Sequence, residues 1–110
     1  RGDKWEKGPL LNTPRVFHSC CTLDKFVYTF HGFDARYKEI SSIERLDAEK
    51  LDRWNKLNIQ TDVKFIPREF PVATSISDHE ILICGGEGKG DGIVLDTRQT
   101  SAKVKTENLN

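Results

Sequence analysis

The chain has 110 residues, 36% of them hydrophobic and 31% charged, a polar-rich balance for a domain that must close its own core. Its 17 basic and 17 acidic side chains cancel, which argues against nucleic acid or an anionic membrane surface as the main partner, because both need a basic surplus. No apolar run approaches the roughly 20 residues of a membrane-spanning helix, and no apolar stretch of the secretory-signal kind follows Arg1-Gly2-Asp3-Lys4.

Residues 1–14 are polar, with Gly8-Pro9 and Thr13-Pro14 as turn signals and Trp5 as the one anchor. The opening Arg-Gly-Asp is read as a chance tripeptide, and a first residue other than Met is expected to reflect processing or cutting. Residues 16–23 read as a short strand, Asp24-Lys25 as a tight turn, and residues 26–30 as a strand rich in aromatic and β-branched side chains. That strand ends at His31-Gly32, and a polar loop runs on to Glu39.

Residues 41–57 admit two readings. Ser41-x-x-Glu44 has capping-box spacing, and Ile43, Leu46, Leu51, Trp54 and Leu57 recur close to a helical period. The other reading is two strands, 42–46 and 53–57, joined through Asp47-Ala48-Glu49-Lys50. Further on, Pro67-Arg68 precedes a strand at 70–75, then a turn at 77–80 and an apolar strand, Ile81-Leu82-Ile83-Cys84. Gly85-Gly86 and a loop of Gly, Glu, Lys and Asp lead to Gly92-Ile93-Val94-Leu95-Asp96, a strand ending in Asp.

The two halves are copies. Pro14-Arg15-x-Phe17 matches Pro67-Arg68-x-Phe70, His31-Gly32 matches Gly85-Gly86, Leu46-Asp47 matches Leu95-Asp96, and Trp5 matches Trp54. The landmarks keep their order at a period of about 50 residues, the spacing of a propeller blade with four short strands per unit. The counterpart of 41–57 carries β-branched residues and no helical stripe, so the repeat selects the two-strand reading.

The unit resembles a kelch repeat: a strand ending in a double glycine, a strand ending in an apolar or aromatic residue followed by Asp, and a Trp several residues later. Residues 26–32, 43–47 and Trp54 follow that order, and residues 81–86 and 93–96 repeat it. His31 stands where the first glycine of the pair belongs, Leu46 and Leu95 stand where the family often has Tyr, and Val104 falls near the missing second Trp. The resemblance implies an all-β fold of four-stranded antiparallel kelch-type blades in a partial β-propeller. Its expected units are the end of a preceding blade and a linker (1–14), one blade (15–57), an inter-blade loop (58–67) and a second, divergent blade (68–110). His31, Gly32, Asp47, Trp54, Gly85, Gly86 and Asp96 take structural positions: glycines allow close approach and turning, Trp fills the wedge between blades, and Asp closes a turn.

The resemblance also implies a non-enzymatic module that binds partner proteins through loops on a rigid ring, in the cytoplasm and in association with the cytoskeleton. Phe33, Arg36, Tyr37 and Lys38 in one loop, and Glu87 and Lys89 in its counterpart, are the candidate contact residues. The alternatives are a structural part of a cytoskeletal or ciliary assembly and, behind it, a copper oxidase-like propeller. No cofactor is expected. His18, Cys20, Cys21, His31, His79 and Cys84 show no metal-ligand spacing. The glycine-rich run 85–92 lacks the Lys-Ser/Thr of a phosphate loop. Three cysteines, two of them adjacent, make a poor disulfide framework and read as free thiols.

Overall fold

Short runs rich in β-branched and aromatic side chains, broken by Gly and Asp turns, form the strands. In the computed structural model the chain is all-β, and no helix forms among the described residues. These are residues 2–57, 59–60, 71–85, 92–98 and 102–107, with 59–60 and 102–107 described through their strand pairing. The first sheet is the meander β1 (Ser19–Leu23), β2 (Phe26–Phe30), β3 (Ile43–Asp47) and β4 (Trp54–Lys56), antiparallel throughout. The second contains β5 (Ile59–Gln60), β6 (Val72–Ser75), β7 (Glu80–Cys84), β8 (Gly92–Asp96) and β9 (Ala102–Glu107), in the order β5-β9-β8-β7-β6. It is antiparallel from β6 to β9, with β5 alongside β9 in parallel.

Residues 41–57 form β3 and β4, not a helix. Ile43, Glu44 and Leu46 are buried in β3, and Asp47 ends it by accepting the N–H groups of Glu49 (2.9 Å) and Lys50 (3.2 Å) at Oδ1, which closes a turn where a helix would have continued. The expected strand at 16–23 begins only at Ser19, because Phe17 has φ 57 and cannot be extended; Val16 makes an isolated bridge to Phe33 instead. No strand forms in 2–14, and Trp5 is exposed. The expected loop 58–67 holds β5. Phe70 and Gly86 lie outside the described residues.

The second half repeats the first at the level of register. Asp47 pairs with Phe26 at the start of β2, and Asp96 pairs with Glu80 at the start of β7. Ala48 N–H donates to the Lys25 carbonyl and Thr97 N–H to the His79 carbonyl, both at 2.8 Å. Leu46 faces Trp54 across β3–β4, and Leu95 faces Val104 across β8–β9, so Val104 occupies the backbone position of the missing Trp. His31 and Gly85, each directly after its strand, have φ 58 and 69. His31 therefore takes the left-handed conformation that glycine reaches at lower cost.

The sheets pack front to back. Cys21, Leu23, Phe26, Tyr28, Phe30 and Ile43 lie on one face of the first sheet, and Ala73, Ile81, Ile83, Ile93 and Leu95 meet them from the second. By register Ile81, Ile83, Ile93 and Leu95 are the counterparts of Val27, Thr29, Glu44 and Leu46, which lie on the opposite face of the first sheet. Like faces do not meet. β1 lies beside β6, so the first strand of each unit stands at the same edge of the stack.

Candidate functional site

The loop between β2 and β3 is held rigid from its root. Gly32 has φ 94, and a Cβ there would lie 2.5 Å from the Val16 carbonyl oxygen, so this approach needs glycine. The close approach lets Val16 and Phe33 exchange both N–H···O bonds at 2.8 Å, which brings Phe17 to the loop. Asp34 then organises the tip. Its Oδ1 accepts the N–H groups of Arg36 (2.8 Å) and Lys38 (2.9 Å), and the Tyr37 N–H donates to its carbonyl at 3.0 Å. The Lys38 and Arg36 N–H donors hold the Asp34 carboxyl below its ordinary value.

This frame presents three rings. Phe17 and Phe33 meet edge-on with centroids 6.4 Å apart, and Tyr37 packs against both at 6.1 and 6.4 Å. Tyr37 is nonetheless 72% exposed and, like Phe17, sits at positive φ (60 and 57). Left-handed backbone at two aromatic residues is a local cost that the surrounding hydrogen bonds sustain. Arg36 and Lys38 are exposed on either side of Tyr37. A fixed aromatic cap flanked by cations loses little conformational freedom on contact, and these residue types carry interface hot spots.

Below the loop lies a buried ion pair. Arg15 Nη2 donates to Glu44 Oε2 at 3.0 Å, with both side chains wholly buried. Arg15 Nη1 also donates to the carbonyls of His31 (3.1 Å) and Ser42 (2.7 Å). Glu44 accepts Thr13 N–H at Oε2 (3.0 Å), and both Asn12 N–H (2.8 Å) and Asn12 Nδ2 (3.0 Å) at Oε1. Asn12 Nδ2 reaches the Trp54 carbonyl at 2.8 Å, and Trp54 Nε1 donates to the Pro9 carbonyl at 3.1 Å. Residues 9–15 are thus laid as a strap across the face of the first sheet that points away from the second. Burial pushes the Arg15 guanidinium down against the pull of Glu44. Burial also raises Glu44, but the donors from Asn12, Thr13 and Arg15 outweigh it and hold the carboxyl below its ordinary value. By gripping the carbonyl next to Gly32, Arg15 positions the loop.

The structure brings Phe33, Arg36, Tyr37 and Lys38 together as the sequence suggests. It adds Phe17, whose place follows from the Val16–Phe33 bridge and from no sequence spacing. Glu87, Lys89 and Gly86 lie outside the described residues. Trp54 is half-buried under the strap, where its indole N–H meets the Pro9 carbonyl. Asp96 closes its turn as expected, accepting Arg98 N–H at 3.0 Å and the guanidinium at 2.6 Å. Arg98 holds its carboxyl well below the usual range. Cys20, Cys21 and Cys84 are free thiols.

Compared with known proteins, the chain matches no family model and no curated protein.

Proposed function

We propose that the chain is part of a kelch-type β-propeller and acts as a non-enzymatic platform that binds partner proteins through the loop between β2 and β3. The observation that carries this reading is the rigid Phe17–Phe33–Tyr37 cap, with Tyr37 exposed between Arg36 and Lys38. Front-to-back stacking of two register-matched sheets supports the propeller part, because that relation can be repeated to build a ring, whereas a sandwich joins two inner faces.

The test is affinity capture with the chain, comparing wild type with Arg36→Ala and Tyr37→Ala. Partners held by wild type and lost by both variants support the reading. Retention of every partner by both variants removes this loop as the contact surface.

A further inference from the structure

A net charge of zero does not mean an even field. On the first sheet, the turn from β3 to β4 and the start of β2 line a cleft of about 540 Å³. Its walls carry Lys25, Arg45, Lys50, Arg53 and Lys56 against two carboxylates, Asp47 and Asp52. Both carboxylates are already engaged. Asp47 accepts two backbone N–H groups at Oδ1 and faces Lys25 Nζ at 3.5 Å through Oδ2. Asp52 accepts Arg53 N–H at 2.7 Å. Glu49, on the same turn, lies outside the cleft. Among the described residues no carboxylate pairs with Arg45, Lys50, Arg53 or Lys56.

The floor is the Phe26 ring, and Arg45 lies over it with its guanidinium carbon 4.2 Å from the centroid. That stacking fixes one cation while leaving its N–H edge available to an acceptor. It also occupies the aromatic face on which a nucleic acid base would stack. A concave wall with an excess of positive charge concentrates anions. The volume suits a few side chains and is too small for a duplex groove.

We propose that this cleft binds a polypeptide segment carrying closely spaced carboxylate side chains. The inference rests on the reading of the chain as a protein-binding module and adds a second contact surface whose partner chemistry is set by charge.

The test is fluorescence anisotropy of the full chain with labelled hexaglutamate, a phosphoserine hexapeptide, hexalysine and a uridine hexanucleotide. Binding of hexaglutamate is expected to weaken about tenfold in Lys50→Glu/Arg53→Glu and to fall as salt is raised. Tyr37→Ala is expected to leave it unchanged, which separates this surface from the aromatic cap. Circular dichroism reports folding; should the double variant unfold, Lys50→Ala and Arg53→Ala are each expected to weaken binding about threefold. No binding of hexaglutamate, equal binding by the charge-altered variants, or tighter binding of the phosphoserine peptide, hexalysine or the hexanucleotide overturns the proposal. Loss of the loop's partners in Tyr37→Ala alongside unaltered peptide binding in the cleft variants would leave the platform reading intact and remove the cleft.

Discussion

The two sheets share a register and differ in what seals the equivalent face. In the second sheet that face is Ile81, Ile83, Ile93 and Leu95, buried against the first sheet. In the first sheet the same positions are Val27, Thr29, Glu44 and Leu46, and no sheet among the described residues covers them. The strap 9–15 does so, through a carboxylate that takes four hydrogen bonds. Ile93 and Glu44 are thus the same place in the repeat under different constraints. An apolar residue suffices where another sheet excludes water, whereas an isolated face recruits polar backbone and must satisfy it. The comparison also shows why the copies drift in sequence at positions where their backbones agree.

Substitution at those two places tests the difference between the sheets most directly. Glu44→Ala leaves Arg15 buried without its carboxylate and the Asn12 and Thr13 N–H groups without an acceptor, and is expected to cost about 3–5 kcal/mol. Ile93→Ala opens a cavity between the sheets, with an expected cost of about 3 kcal/mol. Urea denaturation of both variants reads the two numbers, and a near-neutral Glu44→Ala would show that the strap is not anchored through this pair.

Acid separates the mechanisms further. A carboxyl held below its ordinary value of 4.5 stabilises the fold fully above that value and loses the contribution as pH falls through its lower folded value. The stability gap between wild type and Glu44→Gln should therefore be constant at neutral pH and shrink once pH drops below that ordinary value. The gap between wild type and Ile93→Ala should not follow that titration. Asp34, Asp47 and Asp96 are shifted the same way, so the difference from Glu44→Gln, rather than the whole acid transition, carries the test.

The glycine turns of the two sheets differ at a smaller scale. Gly32→Ala meets both a φ of 94 and the Val16 carbonyl at 2.5 Å, with an expected loss of about 3 kcal/mol. Gly85→Ala meets only the backbone preference, since no described atom lies within 4 Å of its Cβ position, and should lose about 1 kcal/mol. Equal losses would mean that the approach of Val16 to Gly32 has no counterpart cost and that the loop root is not specially built.

The features that repeat were legible in the sequence because each depends on a few adjacent residues. Phe26 to Phe30 is a strand by composition, Asp47 and Asp96 are turn closers by chemistry, and His31-Gly32 marks a strand end. Glu44 was misleading for a physical reason: Ser41-x-x-Glu44 has the spacing of a helix cap, and nothing local says that the acid is instead buried beside Arg15, far away in the chain. A charged residue at an inward position of an alternating strand was the available signal. Phe17 belongs to the aromatic cap only because Gly32 permits the Val16–Phe33 bridge, and the cations around Phe26 gather from two turns and from β3 and β4. Such sites come from tertiary approach, and composition averaged over the chain conceals them.

The smallest effect on stability is expected at the site with the largest expected effect on binding. Tyr37 is mostly exposed, and its ring touches Phe17 and Phe33 without supporting the sheets. Tyr37→Ala removes a side chain from a position with φ 60, where alanine remains strained, so backbone relief does not mask the loss. Denaturation should move by no more than about 0.5 kcal/mol, while affinity for a partner seated on the cap should fall by about 2 kcal/mol or more. Tyr37→Phe keeps the ring contacts and deletes only the hydroxyl, so it separates packing from hydrogen bonding at the contact. Destabilisation by Tyr37→Ala comparable with that of Gly32→Ala would mean that the ring is part of the loop's own support. The exposed cap would then be the outer layer of a structural cluster rather than a surface kept ready for a partner.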